Sequence, residues 1–376
     1  MDFTITKAQK ELKREVIHFA CEELKNLNDS EFDKSYWIKC AEFGLLGMSI
    51  PETYNGLGLD YLTTAIMLEA LGYSCNDSGF IFTITNHLWA CQQTIAEFGS
   101  IASKKMYLPD LISGKYVGCF AITEADSGSD VFNMNTKAQE MDEYFLLNGN
   151  KMFISNAPVA DIFVVIAKTI DSNSVEGFTA FIVEKEMQGV HIGKVIEKMG
   201  LKACPMGEIS FENCKIPKDN VLLSVNKGEH VANWALRMER VFEFASHIGA
   251  MERQMEMCVN YANERRQFGE PIKNNQSVTN PIADMKVSIE LARTYLYKIA
   301  WMLDNKKNVF LESSILKLFV SENYVKTCMD ALHIHGAYGY TKEYGYESEL
   351  RNSIASTIYS GTSEMQRNII FKLLDT

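Results

Sequence analysis

Tyr144-Phe-Leu-Leu-Asn-Gly-Asn-Lys-Met-Phe-Ile-Ser155 is the stretch on which the fold turns. Two short runs rich in β-forming residues flank Asn148-Gly149, a pair that tolerates the positive φ angles of a two-residue hairpin turn. Comparable runs occur at 116–123, 161–168, 177–183 and 208–211. Short strands in close succession, with no helical segments between them, predict an antiparallel sheet or barrel and not a doubly wound sheet. On either side the period changes. Thr6 followed by Gln9 fits a capping box, and Leu12, Val16, Phe19, Ala20 and Leu24 then recur at helical spacing. Pro51, Gly56 and Gly58 punctuate this first part. Beyond 230 the helical period returns over long segments. The expectation is an α+β chain in three parts: helical over 1–115, β-rich over 116–225 and helical over 226–376.

The 376 residues are enough to bury roughly three quarters of the unfolded surface. A content of 47% hydrophobic and 23% charged residues places the chain among ordinary globular proteins, not disordered ones. The net charge of -11 argues against nucleic acid as a partner, because phosphate binding needs a basic surface. Nine scattered cysteines without a CxxC pair read as buried thiols in a reducing compartment. The first twenty residues lack the basic start and apolar run of a signal peptide, and no stretch approaches a membrane span. A cytoplasmic protein without a membrane partner is expected.

Three motifs carry candidate chemistry. The loop Ala121-Ile-Thr-Glu-Ala-Asp-Ser-Gly-Ser-Asp130 ends a predicted strand with small polar residues, which fits either a polar ligand or an ordinary surface loop. No GxGxxG or GxxxxGK[ST] signature is present, so the usual dinucleotide and P-loop routes are absent. His333-Ile-His335-Gly-Ala-Tyr-Gly-Tyr340 has no further ligand at zinc spacing, which predicts no metal and instead a glycine turn where backbone approaches something closely. Glu239 and Glu243 lie one turn apart on an otherwise largely apolar helix. A carboxylate on an apolar face has its pKa raised and suits a general base; the alternative is a solvated charged stripe with Arg237 and Arg240.

Taken together these pieces resemble the acyl-CoA dehydrogenase family over essentially the whole chain. The loop at 121–130 resembles that family's flavin-loop signature, Arg265-Arg-Gln-Phe-Gly269 its mid-helix motif, and Tyr359-Ser-Gly-Thr-Ser-Glu-Met-Gln366 its C-terminal signature. The resemblance implies a helical N-terminal domain, a central β-barrel, a C-terminal four-helix bundle, and FAD between them. By position, Phe120, Ile122, Thr123 and Ser129 would line the flavin and substrate, and Phe153 and Ser155 would flank the isoalloxazine ring. Thr362 and Glu364 would contact FAD, while Tyr359, Gly361, Arg240 and Glu243 would border the substrate. Arg265, Phe268 and Gln276, with His333, Gly336 and Ala337, would reach the FAD of a neighbouring subunit, which implies a homo-oligomer, dimer or tetramer. His333 and Ala337 replace the usual Gln and Gly.

One position departs from the family pattern. Many members carry a glutamate where Ser360 stands, and serine has no basicity of its own for proton removal. A subset typified by isovaleryl-CoA dehydrogenase places that glutamate on the helix opening the bundle, and Met238-Glu-Arg-Val241 matches it. The resemblance therefore implies Glu239 as the base, with the Ser360 N–H stabilising the thioester oxygen. The runs at 156–163, 203–208 and 249–254 resemble a carrier-protein subgroup that includes prolyl- and aminomalonyl-carrier-protein pathway dehydrogenases. Arg237 stands where CoA-using relatives keep an Asp near the pantetheine arm. The implied partner is an acyl or peptidyl carrier protein bearing an aminoacyl thioester; the electron acceptor, an electron-acceptor protein such as an electron-transfer flavoprotein, oxygen or another, is left open. The alternatives are a short branched-chain acyl-CoA dehydrogenase, an enoyl-CoA reductase, or a thioester-binding subunit without catalysis.

Overall fold

A computed structural model describes residues 4–27, 29, 31–170 and 176–374. The extreme N-terminus, part of the segment read for a signal peptide, lies outside the described residues. Helix α1 (Lys7–Glu23) starts at the expected capping box: the Thr6 N–H donates to Gln9 Oε1 at 2.9 Å, and the Gln9 N–H to Thr6 Oγ1 at 3.2 Å. Helices α2 (Lys34–Glu42), α3 (Tyr61–Ser74), α4 (Ser78–Thr85), α5 (Gln93–Phe98) and α6 (Ile101–Ile112) follow, with a wholly buried π-helical segment, Asn86–Gln92, between α4 and α5.

Strands β1 (Gly118–Ala121), β2 (Lys137–Glu140), β3 (Tyr144–Ser155), β4 (Ile162–Ile170), β5 (Glu176–Glu184), β6 (Val190–Ile192), β7 (Met206–Pro217) and β8 (Val221–Leu222) form one sheet in the order β6-β7-β3-β2-β4-β5-β8, with β1 also on β4. β4 alternates strictly. Ile162, Val164 and Ile166 pack against α6 and the start of the long C-terminal helix, while Phe163, Val165 and Ala167 join a core inside the sheet. Phe145 of β3 and Phe181 of β5 are not neighbours in the strand order, yet their rings lie 5.1 Å apart across that interior. The sheet therefore curls around its own core, as a barrel does.

Two expectations need correction. The sheet is mixed, because β1 and β2 both run parallel to β4. Asn148-Gly149 does not turn: β3 runs straight through it and pairs with β7 on both sides of a register shift. Gly149 has φ 141°, and a Cβ there would sit 2.6 Å from Thr136 Cα. The extra residue of the register shift lies in β7, between Phe211 and Cys214, and Gly149 opposite it lets the Thr136 backbone approach closely.

The C-terminal part contains α7 (Gly228–Glu264), a short hairpin of β9 (Arg266–Gln267) and β10 (Glu270–Pro271), α8 (Gln276–Asp304), α9 (Phe310–His335), α10 (Ala337–Tyr340), α11 (Tyr346–Ala355) and α12 (Ser363–Leu374). α7, α8 and α9 pack on one another, and α12 packs on α9. One core joins them to α1 and α3. No helix of the described residues is long and apolar enough to cross a membrane. Eight of the nine cysteines are buried as expected; Cys21 is exposed on α1, and all are free thiols.

Candidate active site

The position of α7 follows from two glycines. A Cβ on Gly72 of α3 would lie 1.9 Å from the Ser246 carbonyl oxygen, and one on Gly249 of α7 would lie 2.0 Å from that of Glu69. The two helices cross backbone to backbone there, with Arg253 donating to the carbonyls of Gly72 and Cys75 at 2.7 and 2.6 Å. This contact presses the face of α7 carrying Glu239, Glu243 and His247 under α4 and under the 359–361 segment that precedes α12.

Glu239 is 6% exposed and Glu243 2%. The solvated stripe considered from the sequence is thereby excluded, since period alone does not say what covers a helix face. Ser360 Oγ donates to Glu239 Oε2 at 3.1 Å. Arg240 Nε donates to the Ser360 carbonyl at 3.0 Å, and Gln366 Nε2 donates to the same oxygen at 3.1 Å and to that of Gly361 at 3.0 Å. Ser360 has φ 52° and Gly361 φ 92°, so two consecutive left-handed residues aim the serine hydroxyl at the glutamate. Burial pushes the Glu239 carboxyl up to about 7, against the Ser360 hydrogen bond and the Arg240 charge, which favour the anion. Burial and the neighbouring Glu239 push Glu243 well above the usual carboxylate range. Thr85 Oγ1 donates to Glu243 Oε1 at 3.4 Å.

The surrounding shell is aromatic and basic. His247 Nε2 is hydrogen-bonded to the Tyr359 hydroxyl, and burial pushes its pKa down to about 3, so the ring is neutral. Tyr359 packs on Phe82 with ring centroids 4.6 Å apart. Lys317 of α9 is fully buried, its Nζ has no hydrogen-bond partner, and it lies 5.9 Å from the Phe244 ring. Burial, then the Arg240 charge, pull Lys317 down to about 8. Sequence reasoning missed Lys317, Thr85 and His247. For Lys317 a signal existed: it is the only charge in the run from Ser313 to Ser321.

The structure thus brings together Glu239, Arg240, Glu243, Tyr359, Ser360 and Gly361. Arg237 lies apart from them, half-buried, near the Tyr61 phenol and the Glu97 carboxylate, with its Nε without a partner. On the sheet side, Phe120 and Ile122 are buried in the core against α6, which leaves their backbone rather than their side chains for a ligand. Lys151 is fully buried and donates to the Ile122 carbonyl and to Glu124 Oε1, both at 2.9 Å, which ties the 121–130 loop to β3. The Met152 N–H donates to the Thr123 carbonyl at 2.9 Å, so Thr123 and Phe153 lie side by side. Phe153 has φ 60° and is 52% exposed, Ser155 is half-buried, and Ser129 is exposed. Thr362 Oγ1 accepts from the Met365 N–H, and Glu364 is exposed in the first turn of α12.

A third group stands clear of both. Arg265 and Phe268 sit on the β9–β10 hairpin, where Phe268 is 99% exposed, and Gln276 opens α8. The Arg265 guanidinium lies 6.0 Å from the Tyr338 ring, which brings the hairpin to the turn after α9. There His333 and Ala337 are exposed, whereas His335 is buried with its Nε2 bonded to the Tyr346 hydroxyl at 2.8 Å. Gly336 has φ 59°, and a Cβ added there would meet nothing within 4 Å, so its conformation and not a close approach requires glycine. The close approach is at Gly339, whose Cβ would lie 2.3 Å from the Leu332 carbonyl oxygen. No group of three or more His, Cys, Asp or Glu that could hold a metal ion occurs among the described residues.

Comparisons with known proteins agree along the whole chain. Residues 6–115, 119–214 and 226–374 match the N-terminal, middle and C-terminal domains of acyl-CoA dehydrogenase. An L-prolyl-[peptidyl-carrier protein] dehydrogenase of Pseudomonas fluorescens is 39% identical over 100% of both chains. The crystal structure of the prolyl acyl carrier protein oxidase AnaB superposes with a TM-score of 0.95 at 40% identity, covering 99% of this chain and 100% of that one. PigA with FAD and proline superposes with a TM-score of 0.95 at 34% identity, over 100% and 99% of the two chains.

Proposed function

The chain belongs to the acyl-CoA dehydrogenase family, FAD-dependent dehydrogenases of acyl thioesters, and on that premise we propose that it oxidises an aminoacyl group, prolyl or serine-derived, tethered to an acyl or peptidyl carrier protein in non-ribosomal peptide or polyketide synthesis. The carrying observation is Glu239: a buried carboxyl raised to about 7 and held by the Ser360 hydroxyl. A base with its pKa near the working pH is matched to proton abstraction next to a carbonyl. The tether is supported by the carrier-protein substrates for which full-length relatives are named.

In this reading Glu239 removes the proton α to the thioester carbonyl. The backbone N–H of Ser360 stabilises charge on the carbonyl oxygen, a donor worth roughly 3 kcal/mol to the transition state. Substitution of serine for a carboxylate at this position leaves that N–H in place. Bound FAD supplies the hydride acceptor. The residues present fit it: Phe153 is an aromatic side chain held at a strained φ outside the sheet core, beside the Thr123 backbone, as a platform for a planar ring requires. Thr123, Ser129, Phe153 and Ser155 would hold the flavin with the backbone of Phe120 and Ile122, and Thr362 and Glu364 would hold it from α12. Phe268, bare in one chain, together with Arg265, Gln276, His333, Gly336 and Ala337, would reach the cofactor of a second copy in a dimer or tetramer. Arg237, with its unpaired Nε, would meet the phosphopantetheine arm.

The test is anaerobic bleaching of the bound flavin. An aminoacyl-carrier protein is expected to reduce it, and Glu239→Gln to stop this with flavin still bound. Reduction by isovaleryl-CoA at a comparable rate would refute the carrier assignment, and an unaltered rate in Glu239→Gln would refute the base.

A further inference from the structure

Ser360 keeps its hydroxyl on Glu239 in an unfavourable backbone state. Its φ of 52° is left-handed, and Gly361 follows at 92°. A residue with a Cβ persists there only where its surroundings over-determine it. Two side chains supply that constraint. Arg240 Nε donates to the Ser360 carbonyl at 3.0 Å, while Gln366 Nε2 donates to the same oxygen at 3.1 Å and to the Gly361 carbonyl at 3.0 Å. A carbonyl oxygen only accepts, so Gln366 has to present its nitrogen to the pair. The residue is fully buried, and its Oε1 has no partner among the described residues. The ends of the segment are held independently of it. The Tyr359 N–H donates to the Ala355 carbonyl at 3.2 Å, the Tyr359 hydroxyl is bonded to His247, and the Ser363 N–H donates to the Thr357 carbonyl at 3.0 Å. What the Gln366 amide adds is the setting of the two left-handed residues between those ends.

We propose that Gln366 is a positioning residue for proton abstraction: by clamping the Ser360 and Gly361 carbonyls it holds the Ser360 hydroxyl on Glu239 and fixes the direction of the Ser360 N–H. The inference rests on the reading of Glu239 as the base. Arg240 shares the Ser360 carbonyl, but its charge also favours the Glu239 anion, so replacing it mixes two effects. Gln366 is neutral, and both of its amide bonds go to carbonyls. The ionisable groups about the base are Arg240 and Glu243 on α7, Tyr359, Cys204, and Lys317 on α9, which itself faces Glu322 and Glu364. A methionine at 366 is close to glutamine in length, removes both bonds and leaves every one of those charges in place.

The experiment compares Gln366→Met with wild-type holoenzyme, following anaerobic flavin reduction by prolyl- and seryl-loaded carrier protein from pH 5.5 to 10. Loss of the hydroxyl contact should move the midpoint up by about one unit. A displaced Ser360 N–H should also lower the alkaline plateau by ~10-fold or more. In a Ser360→Gly background, which has neither the hydroxyl nor the strain, Gln366→Met should move the midpoint by less than ~0.3 unit. A midpoint left at the wild-type value, or the same shift with and without the serine side chain, overturns the proposal. A role in packing α12 alone would lower the melting temperature and leave the midpoint unmoved, which also overturns it. A second readout needs no turnover. The stability that the raised Glu239 carboxyl contributes is lost as pH rises through its folded pKa, so in substrate-free Gln366→Met the decline in denaturant stability should end about one unit higher than in wild type. If neither substrate reduces the flavin, or if Glu239→Gln leaves the rate unaltered, the function or the base is wrong and this readout still decides the clamp. Should Gln366→Met fail to fold, Gly361→Ala displaces the same amide, because its Cβ would stand 2.7 Å from Gln366 Nε2. An unmoved midpoint in that variant overturns the proposal.

Discussion

With Glu239 as the base proposed above, the hydrogen bond from Ser360 tunes the pH range of proton abstraction, and its removal has a calculable effect. Burial alone raises the base, and the serine hydroxyl opposes it by stabilising the anion. A hydrogen bond to a charged acceptor contributes about 1.5–3 kcal/mol, and 1.36 kcal/mol corresponds to one pKa unit. Ser360→Ala should therefore raise the midpoint of the pH–rate profile from about 7 by ~1 to 2 units. The 3.1 Å length of the bond favours the lower end of that range. At pH 7 the ionised fraction would drop from one half to roughly a tenth or less, so the rate of flavin reduction would fall ~5-fold or more. Near pH 9 to 10 most of the rate should return, because the base is then ionised in both proteins. Ser360→Gly tests the same bond while relieving the positive φ of residue 360. Anaerobic stopped-flow flavin reduction from pH 5.5 to 10 is the assay. A loss of rate that is the same at every pH, or a midpoint that moves down, would show that Ser360 does not act through the ionisation of Glu239.

Three further outcomes follow from the same geometry. Glu239→Gln should slow flavin reduction by ~10²–10⁴-fold at every pH without loss of the flavin spectrum; a smaller effect would place the base elsewhere. Gly72→Ala should separate α3 from α7, because its Cβ would meet the Ser246 carbonyl at 1.9 Å. The cost is about 1–3 kcal/mol or more, read as a lowered melting temperature with reduced activity; an unchanged melting temperature would mean that the crossing is slack. The buried carboxyls also predict how stability depends on pH. Glu239 binds its proton more tightly folded, at about 7, than unfolded, near 4.5, so folding is favoured below that window and the contribution is lost as pH rises through it. Glu239→Gln should flatten denaturant stability between pH 4.5 and 7 relative to wild type, and an equally steep dependence in both would contradict the burial of this charge.

Much of the architecture is readable from particular residues. The Thr6–Gln9 box marks the start of α1 where the structure has it, and the switch of period near 116 and 230 matches the passage from helices to sheet and back. The site is legible only through motif resemblance. Glu239 and Glu243 look the same in sequence whether their helix face meets water or α4, and the cover over them comes from Thr85 and Tyr359, far away in the chain. Asn148-Gly149 misleads because a glycine that admits a close backbone approach looks the same in sequence as one that turns a hairpin, and the deciding neighbour, Thr136, is on another segment. Lys317 carries its own signal, a single charge in an apolar run, but a long lysine on a helix also covers apolar surface with its head in water. Only packing distinguishes the two.

The Ser360–Glu239 contact joins residues 121 apart in the sequence. At a synthesis rate of about 5–20 residues per second, the serine leaves the ribosome roughly 6–24 s after the glutamate. Throughout that interval α3 and α4 are already available to cover the base, while the segment that tunes it and offers the thioester a backbone N–H does not yet exist. The nascent chain therefore completes α8 and α9, which pack on α7, before the segment that bonds Glu239 follows. Changes at 359–361 accordingly act on contacts that close over α7 only late in synthesis.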